Sequence, residues 1–458
     1  MNKLAKRAWF TMVLVGVLIV GLVAVSVRYV IDADQWAGFL NSPYVYHQKG
    51  FRNREVVTDC AGNILLQSDG GKSYADNATT RRAFLHLLGD RGGSVSAPVL
   101  SEYGDELLGY NRIMGMAAVG GGEGTMRLTV SAAAQTAALN ALGGYKGTIG
   151  VYNYKTGEIL CMVSTPTFDP ENAPGYDEIE ASDAYEGVYL NRFTQSTYLP
   201  GSTFKLVTAA AALKYIDNIE DRQFTCTGSV EIAGETVTCN GVHGTIDIKQ
   251  ALCHSCNVAF AEIAVELGED RLQAFAGDIG ITEPLTFDGI TTATGKFDLS
   301  DVTDYTLGWA GIGQYTDLIN PCRYMYYMGA IANGGEAATP YLVSEVSFNE
   351  KSQYSAKTKT DEVLDKAVAN ALAKMMHYAV ENNYGSWNFC GVYAGAKSGT
   401  AERGEGQTAT ALMSGFLQDE AYPLAFIAVV EGGGSGSSAC TPILNQVLSA
   451  CITAMDAQ

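Results

Sequence analysis

The chain has 458 residues, 47% of them apolar and 17% charged, the composition of an ordered chain with enough apolar surface to offset the entropy of folding. That length accommodates one large domain and a smaller one. A formal charge of -19 and a pI near 4.7 exclude a nucleic-acid partner, because phosphates would be repelled over most of the surface.

Lys3, Lys6 and Arg7 stand ahead of an uncharged run from Ala8 to Val27. As a helix, about 20 such residues extend about 30 Å, the thickness of a bilayer's hydrocarbon. The run is read as an uncleaved anchor. The alternative is a cleaved signal peptide with small residues at Ala24-Val25-Ser26 near a cut, but the run exceeds what a secretory apolar core needs. Basic residues stay cytoplasmic, so the chain beyond Arg28 is expected outside the cell, and no later segment reads as a second span. Ten cysteines in an exported chain would ordinarily suggest disulfides, yet their spacing lacks the density of a small stapled scaffold.

Residues 1–28 thus read as a stub and anchor, 29–123 as an accessory region, and 124–458 as the main domain. Strands are expected at Glu55-Val56-Val57 and, after the turn signal Ala61-Gly62, at Asn63-Ile64-Leu65-Leu66. The run Gly120-Gly121-Gly122, followed by Glu123-Gly124, marks the boundary, since glycine favours a flexible connection. An alanine-rich helix is expected over Ser131–Leu142, then a hairpin of 148–152 and 158–163 around Lys155-Thr156-Gly157. The middle reads as helical over 204–216, 248–267 and 363–380. Strands over 391–401, 411–418 and 424–431 follow, with a closing helix near Ile443–Met455. The expected fold class is α+β, one antiparallel sheet flanked by helices and closed by both ends of the domain.

Three short motifs carry chemistry. Ser202 and Lys205, in Pro200-Gly201-Ser202-Thr203-Phe204-Lys205, share a helix face, and the residues that follow are apolar enough to bury the lysine. Burial near a second cation would free the amine to act as a base, and a helix N-terminus at Ser202 would direct N–H groups at a developing oxyanion. Taken alone, the pair reads equally well as a surface serine and lysine. Ser255-Cys256-Asn257 is expected within the helix beginning near Ile248, where Ser255 can relay a proton and Asn257 can bond a peptide carbonyl. Its bland reading is a polar helical turn. Lys397-Ser398-Gly399-Thr400 continues a strand whose alternation puts both hydroxyls on one face for a carboxylate, with the Lys397 charge beneath. Gly399 would let substrate backbone approach. The bland reading is a charged edge strand.

Cys226, Cys239, His243 and Cys253 cluster between the first two motifs. Cys226 and Cys239 flank a hairpin-like stretch, which leaves a disulfide, a shared zinc or unlinked buried thiols open.

The three motifs in this order resemble those of class B penicillin-binding proteins. Leu190-Asn191-Arg192, Tyr198-Leu199-Pro200, Ile331-Ala332-Asn333-Gly334-Gly335 and Lys397–Glu402 fit the family, as does the stretch from Gly157 through Asp169-Pro170. Arg54–Gly62 follows the family's N-terminal pattern only loosely, with Glu55 and Cys60 where glycine and arginine are usual, and the accessory region is short. The resemblance implies a penicillin-binding transpeptidase fold with a dimerisation or pedestal-like accessory domain. It implies acylation of Ser202 by D-Ala–D-Ala stem peptides, β-lactams as inhibitors, Lys205 as base, and no metal or organic cofactor. The stretch between anchor and Gly120 is too short for a glycosyltransferase domain, so a membrane glycan polymerase of the shape, elongation, division and sporulation family is the implied partner. Competing readings are a hydrolase of the β-lactamase or carboxypeptidase type and a β-lactam sensor.

Overall fold

The structure is a computed structural model that describes residues 2–37, 53–69, 71–110, 122–404 and 406–457. Helix α1 spans Asn2–Ala37. Its stretch Ala5–Arg28 has a mean hydropathy of 2.8 and none of it is buried, and among the described residues it is the one helix long and apolar enough to cross a membrane.

Strands β1 (Asn53–Thr58), β2 (Ile64–Ser68), β3 (Lys72–Tyr74) and β4 (Gly122–Leu128) follow. The β1–β2 turn is locked by buried Asp59, which accepts N–H bonds from Ala61 at 3.0 Å and Asn63 at 2.8 Å. Its second oxygen accepts from the Ala132 N–H at 3.0 Å, tying this turn to the start of α2 (Ala132–Leu142). Hairpin strands β5 (Gly147–Asn153) and β6 (Ile159–Thr165) come next, then α3 (Lys205–Tyr215) behind a 3-10 turn over Gly201–Phe204.

Short ribbon strands β7 (Gln223–Cys226), β8 (Ser229–Ile232), β9 (Glu235–Thr238) and β10 (Gly244–Asp247) precede helices α4 (Ile248–Cys253) and α5 (Asn257–Asp278). After α6 (Pro321–Ala332) lie β11 (Val343–Phe348), β12 (Lys351–Ser355) and α7 (Lys366–Ala379). The chain closes with β13 (Ala394–Ala401), β14 (Thr410–Gln418), β15 (Pro423–Val430) and α8 (Gly436–Asp456). Strand β13 starts later than its sequence suggests because Cys390 and Gly391 are left-handed, with φ of 58° and 71°.

The central sheet is antiparallel throughout, in the order β13-β14-β15-β5-β6, so strands from both ends of the main domain meet as expected. Side-chain alternation feeds both faces. Tyr152 turns its hydroxyl to the Tyr326 carbonyl on α6, whereas Cys161, paired with the neighbouring Val151, reaches the Ala134 carbonyl on α2. Helices α2 and α8 cover one side, α6 the other, and α7 packs on β13.

A second sheet has the order β12-β11-β4-β1-β2-β3, with β1 and β4 parallel. It joins strands from residues 53–74 to strands from residues 343–355. A division after residue 123 therefore runs through β4. Gly120 and Gly121 lie outside the described residues. The flexible connection expected of the glycine run is absent at Gly122 and Gly124, which are strand residues; a Cβ at Gly124 would stand 2.0 Å from the Leu107 carbonyl oxygen. Glycine there admits a close backbone contact rather than loosening the chain.

The helix expected over 248–267 is broken at the second motif. The Cys256 N–H bonds the Ala251 carbonyl at 2.9 Å and the Ser255 N–H bonds that of Leu252 at 3.2 Å, a Schellman closure of α4. Ser255 occupies the left-handed position that glycine usually takes, with φ of 55°. Cys256 then caps α5 by accepting the Ala259 N–H on its sulfur at 3.5 Å. Ser255, Cys256 and Asn257 thus lie in a tight turn at a helix junction, not inside a helix.

Candidate active site

Three elements converge on one buried amine. Lys205 opens α3 and is fully buried. Its Nζ lies 2.9 Å from Ser202 Oγ, 2.9 Å from the Ser255 carbonyl oxygen, 3.2 Å from Ser255 Oγ and 2.7 Å from Asn257 Oδ1. These acceptors outnumber the hydrogens of an ammonium, which has no lone pair to offer. A neutral amine can donate to Asn257 and the Ser255 carbonyl while accepting the Ser202 hydroxyl proton. Burial, and then the nearby charge of Lys397, hold the Lys205 amine well below its ordinary pKa.

Lys397 projects from β13, also fully buried, with Nζ 3.0 Å from Ser255 Oγ and 2.8 Å from the Ser398 carbonyl. Burial brings its pKa down to about 7. Ser255 Oγ is therefore shared by both lysines, the position a proton relay requires.

Ser202 sits in the 3-10 turn ahead of α3 rather than in its first helical turn. The turn presses on the edge strand β13. Gly201 is left-handed at φ 52°, and a Cβ there would lie 2.6 Å from the Thr400 carbonyl oxygen. A Cβ at Gly399 would lie 2.4 Å from the Pro200 carbonyl oxygen, so Gly399 makes room for the serine turn. The Thr400 carbonyl accepts from Gln314 Nε2 at 2.8 Å, so residue 400 directs its C=O, and with it its N–H, outward from the sheet. A Cβ at Gly201 would also lie 3.1 Å from the Thr400 nitrogen, so that nitrogen lies beside the serine turn.

The hydroxyls of the third motif are already engaged. Ser398 Oγ lies 2.9 Å from Tyr384 Oη, which also accepts the Ser398 N–H at 3.0 Å. Thr400 Oγ1 accepts the Gly436 N–H at 3.1 Å and keeps its own proton to donate. Asn257 Nδ2 donates to the Thr238 carbonyl at 2.9 Å, leaving one amide hydrogen for a ligand. Tyr384 and Gln314 escaped the sequence reading. Tyr384 has no spacing signal, whereas Gln314 follows Gly311-Ile312-Gly313, glycines that could have marked a close backbone approach. Cavities of 310 and 410 Å³ elsewhere in the chain contain none of Ser202, Lys205, Ser255 and Lys397.

The cysteine cluster differs from expectation by one member. Cys226, Cys239, His243 and Cys256 bring their ligand atoms within 4.8 Å of one another. Cys253 is not among them: it ends α4 and lies on the side of Lys397. The helix break at Ser255 turns Cys256 inward in its place. All ten cysteines are free thiols.

Residues 147–449 match the penicillin binding protein transpeptidase domain. The chain is 29% identical over 361 residues to the peptidoglycan D,D-transpeptidase PbpA of Mycolicibacterium smegmatis, covering 72% of each. The crystal structure of the D,D-transpeptidase domain of a peptidoglycan glycosyltransferase from Eggerthella lenta superposes with a TM-score of 0.76 at 25% identity, covering 89% of this chain and all of that one. A chain from a peptidoglycan synthase complex described as coordinating polymerization and crosslinking is 25% identical with a TM-score of 0.63, over 72% of this chain and 63% of that one.

Proposed function

Because this chain belongs to the penicillin-binding protein transpeptidase family, we propose that it cross-links peptidoglycan stem peptides through an acyl-enzyme on Ser202. The observation that carries the reading is the fully buried Lys205 amine 2.9 Å from Ser202 Oγ, with its pKa driven down by burial.

Ser202 Oγ attacks the carbonyl between the two terminal D-alanines, and the Lys205 amine takes its proton. The oxyanion meets the Ser202 N–H and the outward Thr400 N–H. Protons pass by way of Ser255 Oγ to the departing D-alanine nitrogen, the C–N bond breaks, and an ester to Ser202 remains. An amine from a neighbouring stem then attacks that ester, and its proton returns by the same route to Ser202. Asn257 holds a peptide carbonyl with its remaining amide hydrogen. Lys397, Ser398 and Thr400 receive the terminal carboxylate, with Gly399 clearing the approach. The chemistry requires no cofactor. β-Lactams, which present a strained amide and a nearby carboxylate, acylate the same serine.

Lys3, Lys6 and Arg7 favour a cytoplasmic start, a span and an extracytoplasmic domain. A membrane glycan polymerase of the shape, elongation, division and sporulation family is the proposed partner, on the likeness to the chain from the synthase complex.

A fluorescent penicillin tests the reading. Covalent labelling is expected at Ser202, with none in Ser202→Ala, a loss of about 10²–10⁴-fold in rate in Lys205→Ala, and a loss of roughly tenfold in Thr400→Ala. A long-lived adduct with D-alanine release from stem-peptide pairs identifies the transpeptidase. Release within seconds would favour a hydrolase, and labelling without turnover a sensor. Undiminished labelling of Ser202→Ala would overturn the choice of nucleophile.

A further inference from the structure

The ribbon between the first two motifs ends against the site through sulfur. Cys226 closes β7, Cys239 follows β9, His243 precedes β10 and Cys256 starts α5. Four separate backbone segments thus deliver one soft donor each to a single point. Cys226 and Cys256 are fully buried, and Cys239 and His243 are half-buried.

Cys239 Sγ lies 3.9 Å from Cys256 Sγ and 3.6 Å from His243 Nδ1. A tetrahedron built with Zn–S of about 2.3 Å and Zn–N of about 2.05 Å has S···S edges of about 3.8 Å and S···N edges of about 3.6 Å. These two separations match such edges, all four ligand atoms lie within 4.8 Å of one another, and the sulfur–sulfur separation is far longer than the roughly 2.05 Å of a disulfide. Backbone N–H groups also point at the sulfurs. Asn257 donates to Cys239 Sγ at 3.2 Å and Ala259 to Cys256 Sγ at 3.5 Å. Such donors compensate the charge of metal-bound thiolates.

We propose that Cys226, Cys239, His243 and Cys256 bind one zinc ion that holds the Ser255-Cys256-Asn257 turn against Lys205. Three thiolates and an imidazole close the coordination sphere, so the ion is structural and has no open position for substrate. Oxygen-preferring cations such as magnesium and calcium do not suit this donor set. Its reach into the site is short. Asn257 hangs between the two assemblies, with its N–H on Cys239 Sγ, its Nδ2 on the Thr238 carbonyl and its Oδ1 on Lys205 Nζ. Ser255, held left-handed, precedes a zinc ligand directly. Metal occupancy stands independently of the acyl-transfer reading, whereas the effect on acylation rests on it.

Metal analysis of the full chain, purified in detergent with reductant and without chelator, is expected to find about one zinc per chain. Cys226→Ala and His243→Ala, both outside the acyl-transfer residues, should each lose it. Exchange for cobalt(II) should give the intense visible bands and thiolate charge-transfer absorption of a tetrahedral site, a readout on the wild-type chain that stands even where a variant fails to fold. Zinc below roughly a tenth per chain, a six-coordinate cobalt spectrum, or a disulfide among Cys226, Cys239 and Cys256 would overturn the site. Stripping the metal should slow fluorescent-penicillin labelling at least tenfold, with recovery on adding zinc. An unchanged rate would overturn the positioning role alone. Absence of labelling in the zinc-loaded chain would instead count against Ser202 acylation and leave the metal site intact.

Discussion

Lys205 and Lys397 are both fully buried and both reach Ser255 Oγ, so two positive charges around one hydroxyl would be costly. The pKa of Lys397, near 7 in the folded chain against 10.5 ordinarily, makes this a stability statement. The unfolded chain takes up the proton first as pH falls below 10.5. Stability contributed by Lys397 is therefore full above that value, is lost as pH falls toward 7, and is constant below. Urea midpoints compared between wild type and Lys397→Met at pH 7 and 8.5 should show the wild type gaining relative to the variant at the higher pH. A gap that does not widen would contradict a depressed Lys397 pKa. The serine–lysine spacing and the apolar residues after it were enough to anticipate the buried Lys205 amine from sequence. The engagement of Ser398 by Tyr384 was not, because the hydroxyls meet across a fold that no local pattern encodes.

At the scale of elements, the site depends on how closely the serine turn lies against β13. Gly201→Ala would pay about 1–2 kcal/mol for left-handed backbone and would drive a methyl into the Thr400 carbonyl. Displacement of the turn by about an ångström should cost roughly 10²-fold in penicillin labelling. Gly391→Ala is the control: its φ is 71° with open space around the added carbon, so it should lose stability but label at nearly the wild-type rate. Equal labelling losses in both would show that global destabilisation, not the turn, sets the rate. The helices and central strands were readable because alanine-rich stretches, short apolar runs and the turn residues between them are local signals. The break at Ser255 was not, since Schellman closures are usually betrayed by glycine and this one uses serine. That single misjudged turn also put Cys253 in the cluster where Cys256 belongs.

For the whole molecule, the basic residues before the apolar stretch of α1 predict a single orientation. Protease added to intact spheroplasts should digest everything beyond the span, and full protection would refute an outside domain. The second sheet was the least legible feature of the fold. Residues 53–68 carry weak strand signals, and nothing local announces pairing with strands hundreds of residues away.

That sheet also sets a schedule. Strand β4 is bordered by β1 and β11, so β4, made soon after β1, waits for a neighbour that begins at Val343. At a synthesis rate of about 5–20 residues per second, the delay between Leu128 and Phe348 is roughly 11–44 s. During that interval the edge of β4 lacks its native partner, and the amino-terminal region cannot mature ahead of the catalytic one.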